Sequence, residues 1–268
     1  MIFPVRICLI LVAGFTLIAT AFASNKPIFK GPHVVRYKLV PWRAALSFEK
    51  PAKILFFGNS LTFVRDVPGR VEAHLNADTD LDRSALTGMV TFGGFKLIEF
   101  RDNPKARAAV LEALQATDWD LIVLQESFWV LSEREQKNYR DGVAWFASVA
   151  PKGPDSIVLY QGRTRSALLP YHYGLRGWPK SPEHKVELTQ RLVYSVADRY
   201  GMTAPPLGRC WISHPQFPNL YDSRHRYSNN VGTDYIARVL ARAISIKLRR
   251  DAGQPAPIFT CPDGDIAE

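Results

Sequence analysis

Two apolar runs without alternation, Ile54-Leu55-Phe56-Phe57 and Leu121-Ile122-Val123-Leu124, constrain this chain more than any other feature. A strand with one wet face alternates polar and apolar residues. A short run with no alternation reads as a strand covered on both faces, as strands of parallel sheets are. A third such run at 156–160 follows the turn Pro154-Asp155, and a strand at 85–91 leads into Phe92-Gly93-Gly94. Helix signals recur between the strands. Asp66 as N-cap and Pro68 in the first turn open one helix, and Asn103 or Asp102 opens another from Pro104 to about Gln115. Ser132 and Glu135 form a capping-box pattern for a helix through Ala150. Ser181 caps a helix over 182–200 that Gly201 stops in the left-handed position. The last helix starts at Ser228 or Asn230 and runs to about Arg249, with Tyr235, Ile236, Val239, Leu240, Ala243, Ile244 and Leu248 on one face. Short strands are expected near 34–40 and, broken by Pro205-Pro206, within 203–211. Strand–helix alternation over 268 residues predicts one α/β domain, a three-layer α/β/α sandwich around a mainly parallel sheet.

The ends of the chain read differently. Arg6, an apolar run over 7–21 and Ala21-Phe22-Ala23 before Ser24 fit a signal peptide over 1–23. The run is shorter than the roughly 20 residues a spanning helix needs. The expected address is therefore secreted or periplasmic, with cleavage near Ala23/Ser24. Residues 24–52, with Pro27, Pro32, Pro41 and Pro51, read as an extended arm, and 251–268 as a polar tail. Export leaves Cys210 and Cys261, which an oxidising compartment allows to pair and tie the tail to the body. The sequence leaves their distance open. Two isolated cysteines carry no zinc-site spacing. A formal charge of +9 suits association with an anionic envelope surface, while no nucleic-acid-binding motif is present.

Chemistry-bearing residues collect at the carboxyl ends of the expected strands, where α/β folds keep their sites. Ser60 follows the first buried run, Gly94 the second strand and Gln125 the third, and Asp222-Ser223-Arg224-His225 precedes the last helix. Together they supply acyl transfer: Ser60 as nucleophile, His225 as base and Asp222 as the carboxylate that orients the imidazole. The Ser60 and Gly94 N–H groups and the Gln125 amide are candidate oxyanion donors, glycine at 94 being read as a close backbone approach. His214 lacks a carboxylate three residues upstream, and His74 and His172 fall in a helix and a long loop. Glu126 reads as a structural hydrogen-bond partner. Arg163, Tyr171 and Arg224 are candidate substrate-binding residues lining the cleft.

These pieces resemble the SGNH (GDSL-type) serine hydrolases. Phe57-Gly58-Asn59-Ser60-Leu61-Thr62 is similar to the first block of that family, with asparagine where many members carry aspartate. Phe92-Gly93-Gly94 is similar to the second, and Asp222-x-x-His225 followed by Gly232 to the last. The third departs: Gln125-Glu126 stands where Gly-x-Asn-Asp is usual. The resemblance implies a flavodoxin-like sandwich with its catalytic domain over 53–250, and an esterase acting through an acyl-enzyme without metal or cofactor. With export, it points to hydrolysis of short acyl esters, acetyl above all, on a small molecule, carbohydrate or envelope polymer. The same machinery serves an O-acyltransferase on glycans, and the same fold a non-catalytic glycan-binding protein.

Overall fold

The computed structural model describes residues 33–37, 50–126, 132–163, 179–225 and 227–262, the first of these as backbone only. The expected signal peptide, most of the expected arm, and Tyr171 and His172 lie outside the described residues. The unalternating runs form the sheet. Strands β1 (His33–Tyr37), β2 (Ala52–Gly58), β3 (Ala85–Phe92), β4 (Leu121–Gln125) and β5 (Ile157–Tyr160) lie in the order β1-β3-β2-β4-β5. β2 to β5 are mutually parallel, whereas β1 runs antiparallel along β3 at the edge.

Covering both faces explains why these strands lack alternation. Leu55, Phe57, Ile122, Leu124, Ile157 and Leu159 point into one core, and Ile54, Phe56, Leu121, Val123 and Val158 into the other. The first core is closed by α3 (Leu97–Asp102), α4 (Pro104–Gln115), α5 (Glu133–Val149) and α6 (Pro182–Tyr200). The second is closed by α2 (Val67–Ala77), α7 (Leu207–Ser213) and α8 (Asn230–Asp251). Fully burying one such side chain is worth about 1.5–3 kcal/mol, so β2, with Leu55 and Phe57 in one core and Ile54 and Phe56 in the other, is stabilised by both layers of the sandwich.

The caps fall where the sequence places them. Asp66 Oδ1 accepts the Gly69 N–H at the start of α2, and Asn103 Oδ1 accepts from Lys105 and Ala106 at the start of α4. Ser132 and Glu135 form the expected box on α5, and Gly201 ends α6 at φ 67°. Two short helices escape the sequence reading: α1 (Ser60–Phe63) and α3, each too brief to show periodicity. The expected strand over 203–211 is corrected. Thr203 makes a single bridge to Val158, then Pro205 and Pro206 deny the ladder its N–H groups, and 207–213 coil into α7 with Leu207, Cys210 and Trp211 inward. Cys210 is bonded to Cys261, at a Cα–Cα distance of 5.4 Å, so the tail is tied to α7.

Candidate active site

Ser60 is the first residue of α1, half-buried, directly beyond the carboxyl end of β2. As a first-turn residue its N–H has no intrahelical acceptor, which leaves a donor facing the sheet edge. The turn is fixed from beneath by a glutamine. Gln125 Oε1 accepts both the Asn59 N–H at 2.9 Å and the Thr62 hydroxyl at 3.0 Å. Gln125 is fully buried, and its amide nitrogen donates to the Glu126 carbonyl. Gly58 is required here by space. A Cβ at 58 would lie 2.4 Å from Thr62 Oγ1 and 2.7 Å from Gln125 Oε1. The block G-N-S-L-T thus reads as packing instructions: glycine for room, threonine to fold back, asparagine to cap.

Asn59 does more than cap. Its Oδ1 accepts the Leu61 N–H at 3.0 Å, while its Nδ2 donates to the Phe95 carbonyl at 2.8 Å. Phe95 belongs to the Gly94 turn, closed by Phe95 N–H to the Phe92 carbonyl. An aspartate at 59 would keep the cap and lose this second bond, having no hydrogen to give. Glu126, 6% exposed, accepts the Leu97 N–H at 2.9 Å on the other side of the same turn. It also helps hold the buried Tyr139 phenol well above its ordinary pKa, an effect owed first to burial and then to the carboxylate. Gly94 is exposed at φ 78°, with nothing within 4 Å of where its Cβ would be. Within the chain the left-handed turn alone already favours glycine at this position.

Asp222 and His225 are the two ends of one β-turn, the His225 N–H donating to the Asp222 carbonyl at 2.8 Å. The D-x-x-H spacing is the spacing of that turn. His225 holds φ 55°, uncommon for a residue with a Cβ, at a cost of about 1–3 kcal/mol. The turn caps a narrow hairpin. Asp222 N–H donates to the Tyr227 carbonyl, Tyr227 N–H returns to Asp222 Oδ1 at 3.3 Å, and Tyr221 bridges Ser228. Asn229 seals the base: its N–H donates to the Leu220 carbonyl, its Nδ2 to the Asn219 carbonyl, and its Oδ1 caps α8 at Gly232. The loop therefore carries both residues just ahead of α8, and Tyr221 at its start meets Arg163 beyond the carboxyl end of β5. Beside it, Arg70 Nη2 of α2 approaches Asn230 Oδ1 at 3.5 Å.

The remaining candidates separate. Arg224 is exposed on the turn, and Tyr171 lies outside the described residues. Arg163, expected to line the cleft, is only 3% exposed, its guanidinium 4.9 Å from the Tyr221 ring centre and 5.5 Å from that of Trp211. His74 bonds Asp234 at 3.0 Å between α2 and α8, and His214 packs edge-on against Tyr235. Both sit in contacts between elements. What sequence reasoning missed is the cross-linking role of Asn59, signalled only by the departure from aspartate at that position. Among the described residues, no cluster of three or more His, Cys, Asp or Glu side chains is placed to hold a metal ion.

No protein-family model and no curated protein matches the sequence. Solved structures do. A candidate SGNH hydrolase from Slackia heliotrinireducens superposes with a TM-score of 0.59 at 22% identity, over 73% of this chain and 100% of that one. A DUF4886 family protein from Bacteroides uniformis gives 0.56 at 16% identity, over 81% and 90%. The fold is the SGNH hydrolase fold. At these identities the likeness is one of architecture.

Proposed function

We propose that this chain is a serine esterase that removes short acyl groups, acetyl above all, from a carbohydrate or envelope polymer. The observation that carries the reading is the bracing of the Ser60 turn. Asn59 and Gln125 tie it to the Gly94 turn and to β4 at the carboxyl edge of the sheet, and in this reading the serine hydroxyl and the N–H groups of the two turns serve one reacting centre there. Preorganised donors of this kind stabilise a developing oxyanion by about 2.7–4 kcal/mol each.

In this reading Ser60 Oγ attacks the ester carbonyl while His225 takes its proton, and Asp222 orients the imidazole and balances its charge. The tetrahedral oxyanion is held by the Ser60 and Gly94 N–H groups. Gln125 is a weaker third donor than the sequence implies, because its amide nitrogen is already engaged by the Glu126 carbonyl and its oxygen faces the turn. Collapse expels the alcohol with the proton from His225, and water then releases the acid from Ser60. A sugar hydroxyl in place of water makes the same steps an acyl transfer. Export through a signal peptide over 1–23 and the charge of +9 favour a substrate at an anionic envelope surface.

The test is hydrolysis of a chromogenic acetyl ester by residues 24–268, beside Ser60→Ala and His225→Ala. Each variant is expected to lose at least about 10³-fold in kcat with the circular dichroism spectrum unchanged. Equal rates in all three proteins would refute the esterase reading, and a glycan-binding screen would then take its place.

A further inference from the structure

Arg163 is a buried charge that the proposed chemistry does not use. It leaves β5 through Gln161 and Gly162 and points under the loop that carries Asp222 and His225. Burying an arginine so completely is costly unless its surroundings are arranged for it. Here they are. Two aromatic rings receive the guanidinium, Trp211 of α7 and Tyr221, the residue before Asp222. These rings are themselves joined edge to face, with the Trp211 indole N–H donating to the Tyr221 hydroxyl at 2.9 Å. Two residues earlier, Gln161 Oε1 accepts the Gly208 N–H and so fixes α7 to the same exit of β5. Burial lowers the affinity of Arg163 for its proton, while Tyr221, Tyr160 and Asp222 work in the opposite direction. An arginine stays charged under such pressure.

We propose that Arg163 is a positioning residue: it clamps the Trp211–Tyr221 pair, and through Tyr221 holds the Asp222–His225 turn at the sheet edge. Its planar guanidinium suits this work, because it lies against two rings at once while placing a cation behind the carboxylate that orients the base. The inference rests on the esterase reading for the role of the turn, but not for the clamp itself. Arg163 touches the base of the hairpin rather than the reacting atoms, so its loss slows chemistry by letting the hairpin wander.

The experiment uses Arg163→Met and Arg163→Lys in the whole exported chain, read by amide hydrogen exchange and by acetyl-ester kinetics. Methionine fills the space without the charge, and replacing a buried ion by an apolar side chain often leaves stability unchanged or raised. Exchange over 220–229 is expected to quicken at least tenfold in Arg163→Met, with β4 and the body of α8 unchanged. Arg163→Lys, which keeps the charge without the plane, is expected to fall between. In the kinetics, kcat falls at least tenfold in Arg163→Met while KM moves less than twofold. Unchanged exchange over 220–229 in a folded Arg163→Met overturns the proposal whatever the activity. Should that variant fail to fold, unchanged exchange in Arg163→Lys does the same. Faster exchange in a protein whose parent hydrolyses no ester upholds the clamp and removes the hydrolase reading instead.

Discussion

Ser60 and Gly94 stand on turns cross-linked by directed amide hydrogen bonds, whereas Asp222 and His225 stand on a turn propped from behind by two rings, a cation and a disulfide. On the first side every contact has a donor, an acceptor and a length: Asn59 to Phe95, Gln125 to Asn59 and Thr62, Glu126 to Leu97. On the second, the turn closes its own backbone bonds, and ring and cation packing on Trp211 and Tyr221 joins the hydrogen bonds from Trp211 to Tyr221 and from Tyr227 to Asp222. On the esterase reading proposed above, the difference matches two tasks. An oxyanion site gains from rigid dipoles fixed before the reaction. A base that must take a proton and return it tolerates, and uses, a support that is firm in position but not locked atom by atom.

The strongest way to break this contrast lies on the packed side. The Cys210–Cys261 bond closes a loop of 51 residues and begins one residue before Trp211. On the chain-entropy account, opening it costs about 4 kcal/mol of stability. Chemical unfolding with and without reductant measures this, and a matching loss in Cys261→Ser would confirm the source. An unchanged midpoint would show that the tail bond does not support the fold.

The braced side predicts an effect of the same order. Gln125→Met keeps the volume but strands the Asn59 N–H and the Thr62 hydroxyl, and each buried unsatisfied group costs about 1–3 kcal/mol. Esterase activity is expected to fall with stability, since the Ser60 turn loses its floor. A stability loss with full activity would detach Gln125 from the site. Smallest, and most diagnostic, is Asn59→Asp. It preserves the cap on Leu61, removes the donor to Phe95 and sets a carboxylate against a carbonyl, for a loss of about 1–2 kcal/mol. The expected signature is lower kcat with little change in KM, because the tie aligns donors rather than binding substrate. No kinetic change would mean that the two turns align without it.

How far the sequence foretold this molecule depends on the range of the interactions involved. The strands at 54–57 and 121–124, the Asp66, Asn103, Ser132 and Ser181 caps and the Gly201 stop are local in the chain, and all stand where their chemistry places them. The D-x-x-H turn was legible for the same reason, being four residues long. Arg163 was misplaced because nothing near it in sequence reveals that Trp211 and Tyr221, roughly fifty residues on, fold over it. The Asn59–Phe95 tie spans 36 residues and was hidden likewise. The strand expected over 203–211 failed on a competition between β-prone composition and a proline pair that ends the ladder after one bridge.

The antiparallel edge strand has a consequence for life outside the folded monomer. β3, Ala85–Phe92, reads A-L-T-G-M-V-T-F, eight residues with no charge and no proline. Uncovered, its outer edge would be a row of open backbone donors and acceptors of the kind that recruits strands from other molecules. His33–Tyr37 pairs along that edge from the amino-terminal side of the chain, so the guard is synthesised before the strand it guards. A molecule clipped between 37 and 50 would keep its whole candidate site and lose its protection against self-association. The pairing of His33–Tyr37 with β3 thus bears on solubility as well as on the fold.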